Sequence, residues 1–235
     1  MAKTDVSGRK KRAATTAAPA RILATRAPAP FARASHALRI IGGAYKRTRI
    51  PLADVPGLRP TPDRVRETLF NWIAHLRPDL SAVRGLDLFA GSGALGFELA
   101  SRGAARVTLV ERDARLLESL RALRERLHAT NVDIVAGDAL AVARGWGDAS
   151  FDLILLDPPF DAGLTAPVLA AARRLLAAGG LVYFESAAPL TGTQAGAAGF
   201  EIVRAGRAGR VQFHLLRPHD AGIIAPRNPT AGLGA

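Results

Sequence analysis

The sequence predicts an α/β fold of the Rossmann-like type, with a mostly parallel seven-stranded sheet that closes in a terminal antiparallel hairpin. Short apolar segments that suit buried strands alternate with helical patterns between residues 84 and 187. One strand, at residues 86–90, runs into a G-x-G-x-x-G loop, and another, at residues 151–156, ends in Asp-Pro-Pro-Phe. Both motifs fall at the carboxyl ends of strands, where open α/β sheets bind their ligands.

The composition limits the class of protein. The chain has 235 residues, which is enough for one sizeable core with tails. It has no cysteine, which excludes disulfides and thiolate metal sites, and its five histidines show no metal-ligand spacing. No stretch approaches the ~18 consecutive apolar residues of a membrane span. We expect a cytoplasmic, monomeric protein that uses no metal and does not contact a membrane.

The net charge of +12 lies mostly at the front of the chain. Residues 1–36 hold eight basic residues and one acidic residue, residues 37–60 hold five and one, and the remaining 175 residues are nearly neutral. This distribution fits a polyanion-binding extension on a neutral domain, although a basic tail kept for solubility would look the same. We predict a disordered basic Ala/Pro-rich arm over 1–36, a basic β-hairpin extension over 37–60, one folded domain over 61–218 and a disordered tail over 219–235.

Residues 38–52 are predicted to form two short strands about a turn at Gly42-Gly43, because glycine allows the positive φ angles of a tight hairpin. The second strand is rich in basic residues and carries one aromatic residue, a pattern typical of a nucleic-acid contact surface. An edge strand whose charges prevent aggregation would have the same pattern. The candidate nucleic-acid-binding residues of this region and the next helix are Arg39, Tyr45, Lys46, Arg47, Arg49, Arg59 and Arg64.

A helix is predicted from residue 61 to residue 76, with Thr61 as its N-cap and Pro62 in its first position. Its amino terminus, with Arg64 nearby, could hold a carboxylate or a phosphate, although an ordinary capped helix explains it equally well. The apolar residues recur on one face and predict a core stripe of Val65, Leu69, Trp72, Ile73 and Leu76. The polar side of the first turns is predicted to be Asp63, Arg64, Arg66 and Glu67.

Gly91, Gly93 and Gly96 follow the strand at residues 86–90 and open a helix, so the backbone can approach a ligand closely. The next strand, at residues 106–113, contains Glu111, which lies 20 residues after Gly91. A Rossmann-type fold places an acid on ribose hydroxyls at that distance. Together these features predict a cofactor of the adenosine type.

Asp87 favours one cofactor over another, because a carboxylate beside the loop would serve a pyrophosphate poorly. The cationic amino-acid end of S-adenosylmethionine could instead donate to it. Asp87 therefore favours S-adenosylmethionine over a nicotinamide cofactor, unless its carboxylate only caps the turn.

The following elements continue the alternation of helix and strand. Residues 113–128 form a helix with a stripe of leucines, and residues 132–140 form a strand that ends at Asp138, whose carboxylate could accept from an adenine amino group. After the strand at residues 151–156, the pattern predicts a helix over 164–177, a strand over 181–187, weak helical character over 188–199, and two strands over 201–218 joined near residues 206–209.

Asp157, Pro158, Pro159 and Phe160 form the turn after the strand at residues 151–156. Consecutive prolines end the strand and make the backbone stiff and extended. The turn offers a carboxylate, backbone carbonyls with no nearby N–H partner, and an aromatic ring. These groups suit a flat ligand that carries an NH2 group, such as a nucleobase, although Phe160 could also be an ordinary core residue.

Three blocks of sequence together resemble the RsmD family of bacterial methyltransferases, which methylate the exocyclic N2 of a guanine in 16S ribosomal RNA. The blocks are LRIIGGAYKRTRIPL with GLRPTPDRVRETLFNWI, LDLFAGSGALGFELASRGA with VERD, and DPPF. The resemblance covers about residues 37–217. The RPTPDRVRETLFNW block is specific to this family and its near relatives, whereas the glycine loop and DPPF are shared with DNA adenine-N6 methyltransferases. The arm over 1–36 is longer than the family pattern.

The resemblance implies a methyltransferase domain that binds S-adenosylmethionine across the carboxyl edge of its sheet, with 16S ribosomal RNA of an assembled or assembling small subunit as its substrate. The implied cofactor-binding residues are Thr61, Asp87, Phe89, Gly91, Gly93, Glu111, Asp138 and Ala139. The implied catalytic turn is Asp157, Pro158, Pro159 and Phe160, in which Asp157 and the Pro158 carbonyl accept from the guanine amine and Phe160 stacks on the base.

Three other functions remain open from the sequence alone. A DNA adenine-N6 methyltransferase would use the same DPPF turn, but no large DNA-reading domain is visible. A nicotinamide-dependent oxidoreductase would use the glycine loop and would leave Asp87 and DPPF unexplained. A non-catalytic RNA-binding protein could keep the fold, and an intact Asp157 argues against it.

Overall fold

The computed structural model describes residues 38–53, 55, 61–160 and 163–219 of the chain. The predicted arm over 1–36, all but the first residue of the predicted tail over 219–235, and Arg59 lie outside the described residues. Within the described part, no helix combines the length and the apolar character that a membrane crossing requires.

The described strands form one sheet. They are β1 Arg84–Asp87, β2 Arg106–Glu111, β3 Val132–Ala136, β4 Phe151–Leu156, β5 Leu176–Ser186, β6 Phe200–Ala208 and β7 Val211–Pro218. Their order across the sheet is β3-β2-β1-β4-β5-β7-β6. The first five strands pair in parallel, and β7 runs antiparallel to both β5 and β6. The predicted seven-stranded sheet with a closing hairpin is therefore confirmed.

Helices cover both faces of this sheet. They are α1 Asp63–Leu76, α2 Ala94–Ser101, α3 Ala114–Leu127, α4 Ala139–Arg144, α5 Thr165–Leu175 and α6 Gly192–Ala197. One hydrophobic cluster joins the sheet to α1, α2 and α3, and a second joins it to α4, α5 and α6. Alternate residues of β4 supply the two clusters, as the pleat of a strand buried on both faces requires.

Several predicted boundaries were wrong. The strand predicted over 132–140 ends at residue 136, and α4 begins where the strand was expected to continue, because Asp138 caps that helix. β5 begins at residue 176, before the glycines that were expected to separate helix from strand. Leu76 was predicted in the core and is 39% exposed, since it lies in the last turn of α1. Arg66 was predicted on the polar side of α1 and is completely buried.

Residues 38–50 turn back on themselves but form only one antiparallel bridge, between Arg39 and Arg49, instead of two regular strands. Their backbone is tied to α2 as well as across the turn, since Ala44 N donates to Ser101 O at 2.7 Å. The approach is so close that a Cβ on Gly43, whose φ is +76°, would lie 1.8 Å from Ser101 O. Attachment to α2 therefore replaces the ladder that a free hairpin would need.

Candidate active site

The carboxyl ends of β1, β4 and β5 bring three carboxyl groups of the site together. β4 pairs with β1 on one side and β5 on the other, with Leu156 opposite Phe184. Asp157, the residue after β4, is therefore level with Glu185, the residue after Phe184 on β5. Asp87 is the last residue of the neighbouring strand β1. Three separate segments of sequence meet here because the ends of neighbouring parallel strands lie at one edge of a sheet.

The Asp-Pro-Pro-Phe turn is open on its outer side. Asp157 is half-buried and Pro158 is buried, whereas Pro159 and Phe160 are exposed. Phe160 is 43% exposed, so the expectation that it could be an ordinary core residue was wrong. A large aromatic ring at the mouth of a polar site provides a surface on which a flat ligand can stack.

Glu185 is a buried member of the site that sequence reasoning missed. Its Oε1 accepts hydrogen bonds from the Thr61 hydroxyl at 2.8 Å and from the Tyr183 hydroxyl at 2.7 Å. The available signal was a charged residue inside the otherwise apolar strand LVYFES. Nothing in the local sequence identified its partners.

Thr61 was predicted as the N-cap of the first helix, and that prediction was wrong. The N-cap residue is Pro62, with no side-chain cap hydrogen bond, because the Thr61 hydroxyl donates to Glu185 instead. Thr61 is buried beside the acidic cluster, whereas Arg64 in the first turn is exposed. The amino terminus of α1 thus contributes a hydroxyl to the site.

Asp87 is buried, and only one of its oxygens accepts a hydrogen bond of normal geometry, although the Phe89 N–H lies near enough to lower its pKa. Its Oδ2 accepts from Gly96 N at 2.9 Å, which anchors the start of α2. Its Oδ1 is buried and has no hydrogen-bond partner among the described residues. A buried carboxylate oxygen without a donor is costly unless a ligand supplies one, and cofactor binding by Asp87 stays a prediction.

The acids at this edge lack the positive charges that usually accompany buried carboxylates. Across the described residues, Asp87, Asp157 and Glu185 form no ion pair with Lys or Arg. Burial raises the pKa of Asp87 to about 7, and the Gly96 N–H partly opposes this. Burial also raises the pKa of Glu185, against the bonds from Tyr183 and Thr61. The site is therefore suited to a ligand that brings positive charge.

Asp157 and Tyr183 respond to the same environment. Burial, followed by the negative charges of Glu185 and Asp87, raises the pKa of Asp157 well above its ordinary value. Burial and the neighbouring Glu185 likewise raise the pKa of Tyr183 well above its ordinary value, so its hydroxyl stays protonated and donates. A cation bound among these acids would lower the pKa of Asp157 and leave its carboxylate ionised as an acceptor.

The glycine loop is held open by Glu111. Gly91 N donates to Glu111 Oε2 at 2.8 Å, and the backbone N–H groups of Arg112 and Asp113 donate to Oε1 at 2.8 and 2.9 Å. Gly93 has a φ of +79°, and a Cβ there would lie 2.6 Å from the Leu120 side chain. Glu111 thus shapes the loop, and ribose binding by it stays a prediction.

The other predicted cofactor residues line the same edge on the β1 and β3 side. Phe89 is half-buried in the turn after β1 and packs against the second hydrophobic cluster. Asp138 is exposed after β3 and caps α4 by accepting from Ala141 N at 2.9 Å, and the adjacent Ala139 is buried. Their contact with adenine stays a prediction. Of the part of the chain described, no group of three or more His, Asp or Glu side chains could hold a metal ion.

Most of the predicted nucleic-acid residues lie on the segment at residues 38–50, and Arg64 lies in the first turn of α1. Arg39, Lys46, Arg47 and Arg49 are exposed on the segment at residues 38–50. Tyr45 differs from them, since it is half-buried, packs against the core and donates its backbone N–H to Ser101 Oγ at 2.8 Å. Its ring thus has a structural role, and its contact with nucleic acid stays a prediction.

A buried ion network that sequence reasoning missed attaches this segment to the domain. Glu98 of α2 is fully buried and accepts from Ile41 N at 2.6 Å and from Gly42 N at 2.9 Å. Arg66 of α1 lies 3.5 Å from Glu98 and donates to Arg39 O at 2.7 Å. Two helices thus fix the position of the segment through its backbone, while its basic side chains are exposed.

Known proteins resemble the chain along most of its length. A family model described as "Conserved hypothetical protein 95" matches residues 38–217. "Ribosomal RNA small subunit methyltransferase D" of Escherichia coli strain K12 is 38% identical over 187 residues, which cover 79% of this chain and 92% of that protein. "Putative methyltransferase yhhF from Escherichia coli" superimposes with a TM-score of 0.66 at 37% identity, covering 77% and 98% of the two chains. The structure of "putative methylase HI0767 from Haemophilus influenzae" superimposes with a TM-score of 0.62 at 28% identity, covering 77% and 97%.

Proposed function

This chain belongs to the RsmD family, whose members include the small-subunit rRNA methyltransferases just described, and from that premise we propose what its site does. We propose that it transfers a methyl group from S-adenosylmethionine to the exocyclic N2 of a guanine in 16S ribosomal RNA. We further propose that it acts as a monomer on an assembled or assembling small subunit.

The observation that carries this proposal is the position of Asp157 between two buried acids and beside an exposed aromatic ring. Among the residues that the structure describes, Asp87 Oδ1 has no donor and the three acids have no Lys or Arg partner, which suits the ammonium and sulfonium groups of S-adenosylmethionine. A pyrophosphate would add negative charge to an already acidic site, which argues against a nicotinamide cofactor. When bound, S-adenosylmethionine supplies an activated methyl group on a sulfonium.

The residues of the catalytic turn would then align and polarise the amine. The lone pair of an exocyclic guanine amine is delocalised into the ring, which makes the nitrogen a poor nucleophile. The Asp157 carboxylate and the Pro158 carbonyl would accept its two N–H bonds and favour a pyramidal nitrogen with its lone pair directed at the methyl group. Phe160 would stack on the base, which must leave its RNA stack to enter the site.

Glu185 would act as a positioning residue for this turn. It is held by Thr61 and Tyr183 and lies next to Asp157 across the β4–β5 pair. Burial, and after it the negative charge of Glu185, raises the pKa of Asp157, and a positively charged cofactor would lower it again. Asp157 would thus become a full acceptor when the methyl donor has bound.

A DNA adenine-N6 methyltransferase remains the second candidate by chemistry, since the same turn could accept from an adenine amine. The similar proteins are named for ribosomal RNA, which favours the first candidate. The two differ in the nucleoside that carries the label after reaction, so one assay separates them.

The test uses radiolabelled S-adenosylmethionine with small ribosomal subunits from a strain that lacks the corresponding methyltransferase. Free 16S RNA and DNA run in parallel, and the products are digested to nucleosides. We expect label in N2-methylguanosine, whereas label only in N6-methyladenine of DNA would overturn the proposal. Asp157→Ala should abolish transfer while calorimetry still detects S-adenosylmethionine binding, and Asp148→Ala, an exposed aspartate on the loop before β4, is the matched control.

A further inference from the structure

The turn between β6 and β7 lies at the same edge of the sheet as the candidate active site. The register pairs Ser186, at the carboxyl end of β5, with Gln212 of β7. Because β7 runs antiparallel to β5, the residues before Gln212 continue past the carboxyl edge. The turn at residues 209–210 therefore extends about 7 Å beyond the Ser186–Gln212 pair.

The hairpin is also close to the catalytic turn across the sheet. β5 alone separates β7 from β4, so the two lie about 10 Å apart by strand spacing. A ligand whose base enters beside Asp157 must carry its backbone past the rim of the same edge. The β6–β7 turn is thus placed to meet groups on either side of that base.

Aromatic packing fixes the hairpin to the domain. Gly206 lies opposite Phe213, and a Cβ on Gly206 would come 2.4 Å from the Phe213 ring, so the ring lies directly against the β6 backbone. The same ring stacks on Trp72 of α1, with centroids 5.4 Å apart and an interplanar angle of 29°. Gly209 has the positive φ, +61°, that a two-residue hairpin turn favours. The base of the turn is therefore held against α1, and the turn projects from it.

The projecting end of the hairpin is basic and has no acidic neighbour in sequence. Arg207 and Arg210 are exposed, and no acidic residue occurs between Glu201 and His219. Among the described residues neither arginine forms an ion pair, although Arg207 Nε donates to Gly209 O at 2.9 Å. The guanidinium groups are thus available to an anion.

The acidic site itself explains why a cationic rim is needed. The carboxyl groups that suit a cationic methyl donor repel the phosphates of a polyanionic substrate. We propose that Arg207 and Arg210 bind the RNA phosphates that flank the target base, an inference that rests on the proposed function. The hairpin would hold the strand at the rim while the acids beneath it serve the methyl donor.

The test compares the double variant Arg207→Ala/Arg210→Ala with a control that removes the same charge elsewhere. The control is Arg121→Ala/Arg144→Ala, since both arginines are exposed, on α3 and α4, and neither forms an ion pair among the described residues. Filter binding to 16S RNA is measured over a salt series, together with KM and kcat on small subunits and calorimetric binding of S-adenosylmethionine. Arg207→Lys/Arg210→Lys restores the charge without the Arg207–Gly209 bond.

We expect the alanine pair to raise KM for RNA about tenfold and to flatten the salt slope of binding by about 1.4, as the loss of two single-strand phosphate contacts predicts. Binding of S-adenosylmethionine should not change, and the lysine pair should recover most of the RNA affinity. RNA binding by the alanine pair equal to that of the control would refute the inference while leaving the proposed function intact. A defect on subunits but not on free RNA would also refute it and would indicate a protein contact, and a wild-type protein that methylates no RNA would refute the proposed function first.

Discussion

Replacing Asp87 by asparagine should stabilise the protein without ligand and abolish its binding of the methyl donor. The pKa of Asp87 is raised by burial from 3.8 to about 7. A carboxyl whose pKa is higher in the folded state stabilises the fold fully at low pH, and that contribution is lost as pH rises from about 4 through 7. One pKa unit corresponds to about 1.4 kcal/mol, so the whole shift corresponds to about 4 kcal/mol.

Asparagine cannot ionise, has the same shape and keeps an oxygen that can accept from Gly96 N. In urea unfolding without ligand, the variant should therefore have a higher free energy of unfolding than the wild type. The difference should grow by about 3 kcal/mol between about pH 5 and about pH 8.5. Asp148→Asn is the control, because its carboxylate is exposed in a loop and paired only with Arg174. Calorimetry should show that Asp87→Asn loses S-adenosylmethionine binding, since the amide carries no charge.

Parallel pH curves for the wild type and Asp87→Asn would refute the claim that burial of this carboxyl costs free energy. An unchanged affinity for S-adenosylmethionine would refute the separate claim that its charge serves the cofactor. The two outcomes are independent, because the first is measured without ligand and the second with it. The trade between stability and binding is the expected property of a preorganised site.

Three further substitutions test the supports of the site and of the basic segment. Thr61→Val removes a donor to Glu185 and should lower the free energy of unfolding by about 1 kcal/mol in urea while reducing methyl transfer. Glu98→Ala leaves the Ile41 and Gly42 N–H groups without their acceptor and Arg66 with Asp63 as its remaining carboxylate, and should cost about 1–3 kcal/mol, with faster proteolysis at residues 38–50; equal proteolysis would contradict the role of the network. Gly43→Ala should lower the melting temperature, whereas Gly192→Ala, which has open space around it, should not.

The strands and the glycine loop could be predicted from the sequence because their signals are local. A buried parallel strand must be apolar at successive positions, and a loop that brings backbone close to a ligand must contain glycine. Gly93 shows this directly, since its positive φ and the Leu120 side chain leave no room for a Cβ. Asp157 was identified for a similar reason, because consecutive prolines end a strand in any context.

The supports of the site could not be predicted, because each depends on a partner far away in sequence. Thr61 looks like an N-cap to its neighbours and becomes a donor to Glu185 only when residues 124 positions apart meet. Arg66 lies on the polar side of α1 by its sequence pattern and pairs with the nearby Asp63 at 2.7 Å. It is nevertheless completely buried, because α1 also brings it to Glu98, 32 positions later. A sequence pattern predicts only the average exposure of a residue type, whereas a charged residue is buried where the fold supplies a partner for it.

The first turn of α1 explains why the RPTPDRVRE block, rather than the glycine loop, is the distinctive part of this sequence. Thr61 holds Glu185 at the carboxyl edge, and Arg66, one helical turn further, holds the basic segment through Arg39 O. Glu98, which completes that attachment, lies on the helix that the glycine loop opens. The start of α1 therefore contacts both the acids of the candidate site and the segment at residues 38–50, so a change there would disturb two surfaces at once.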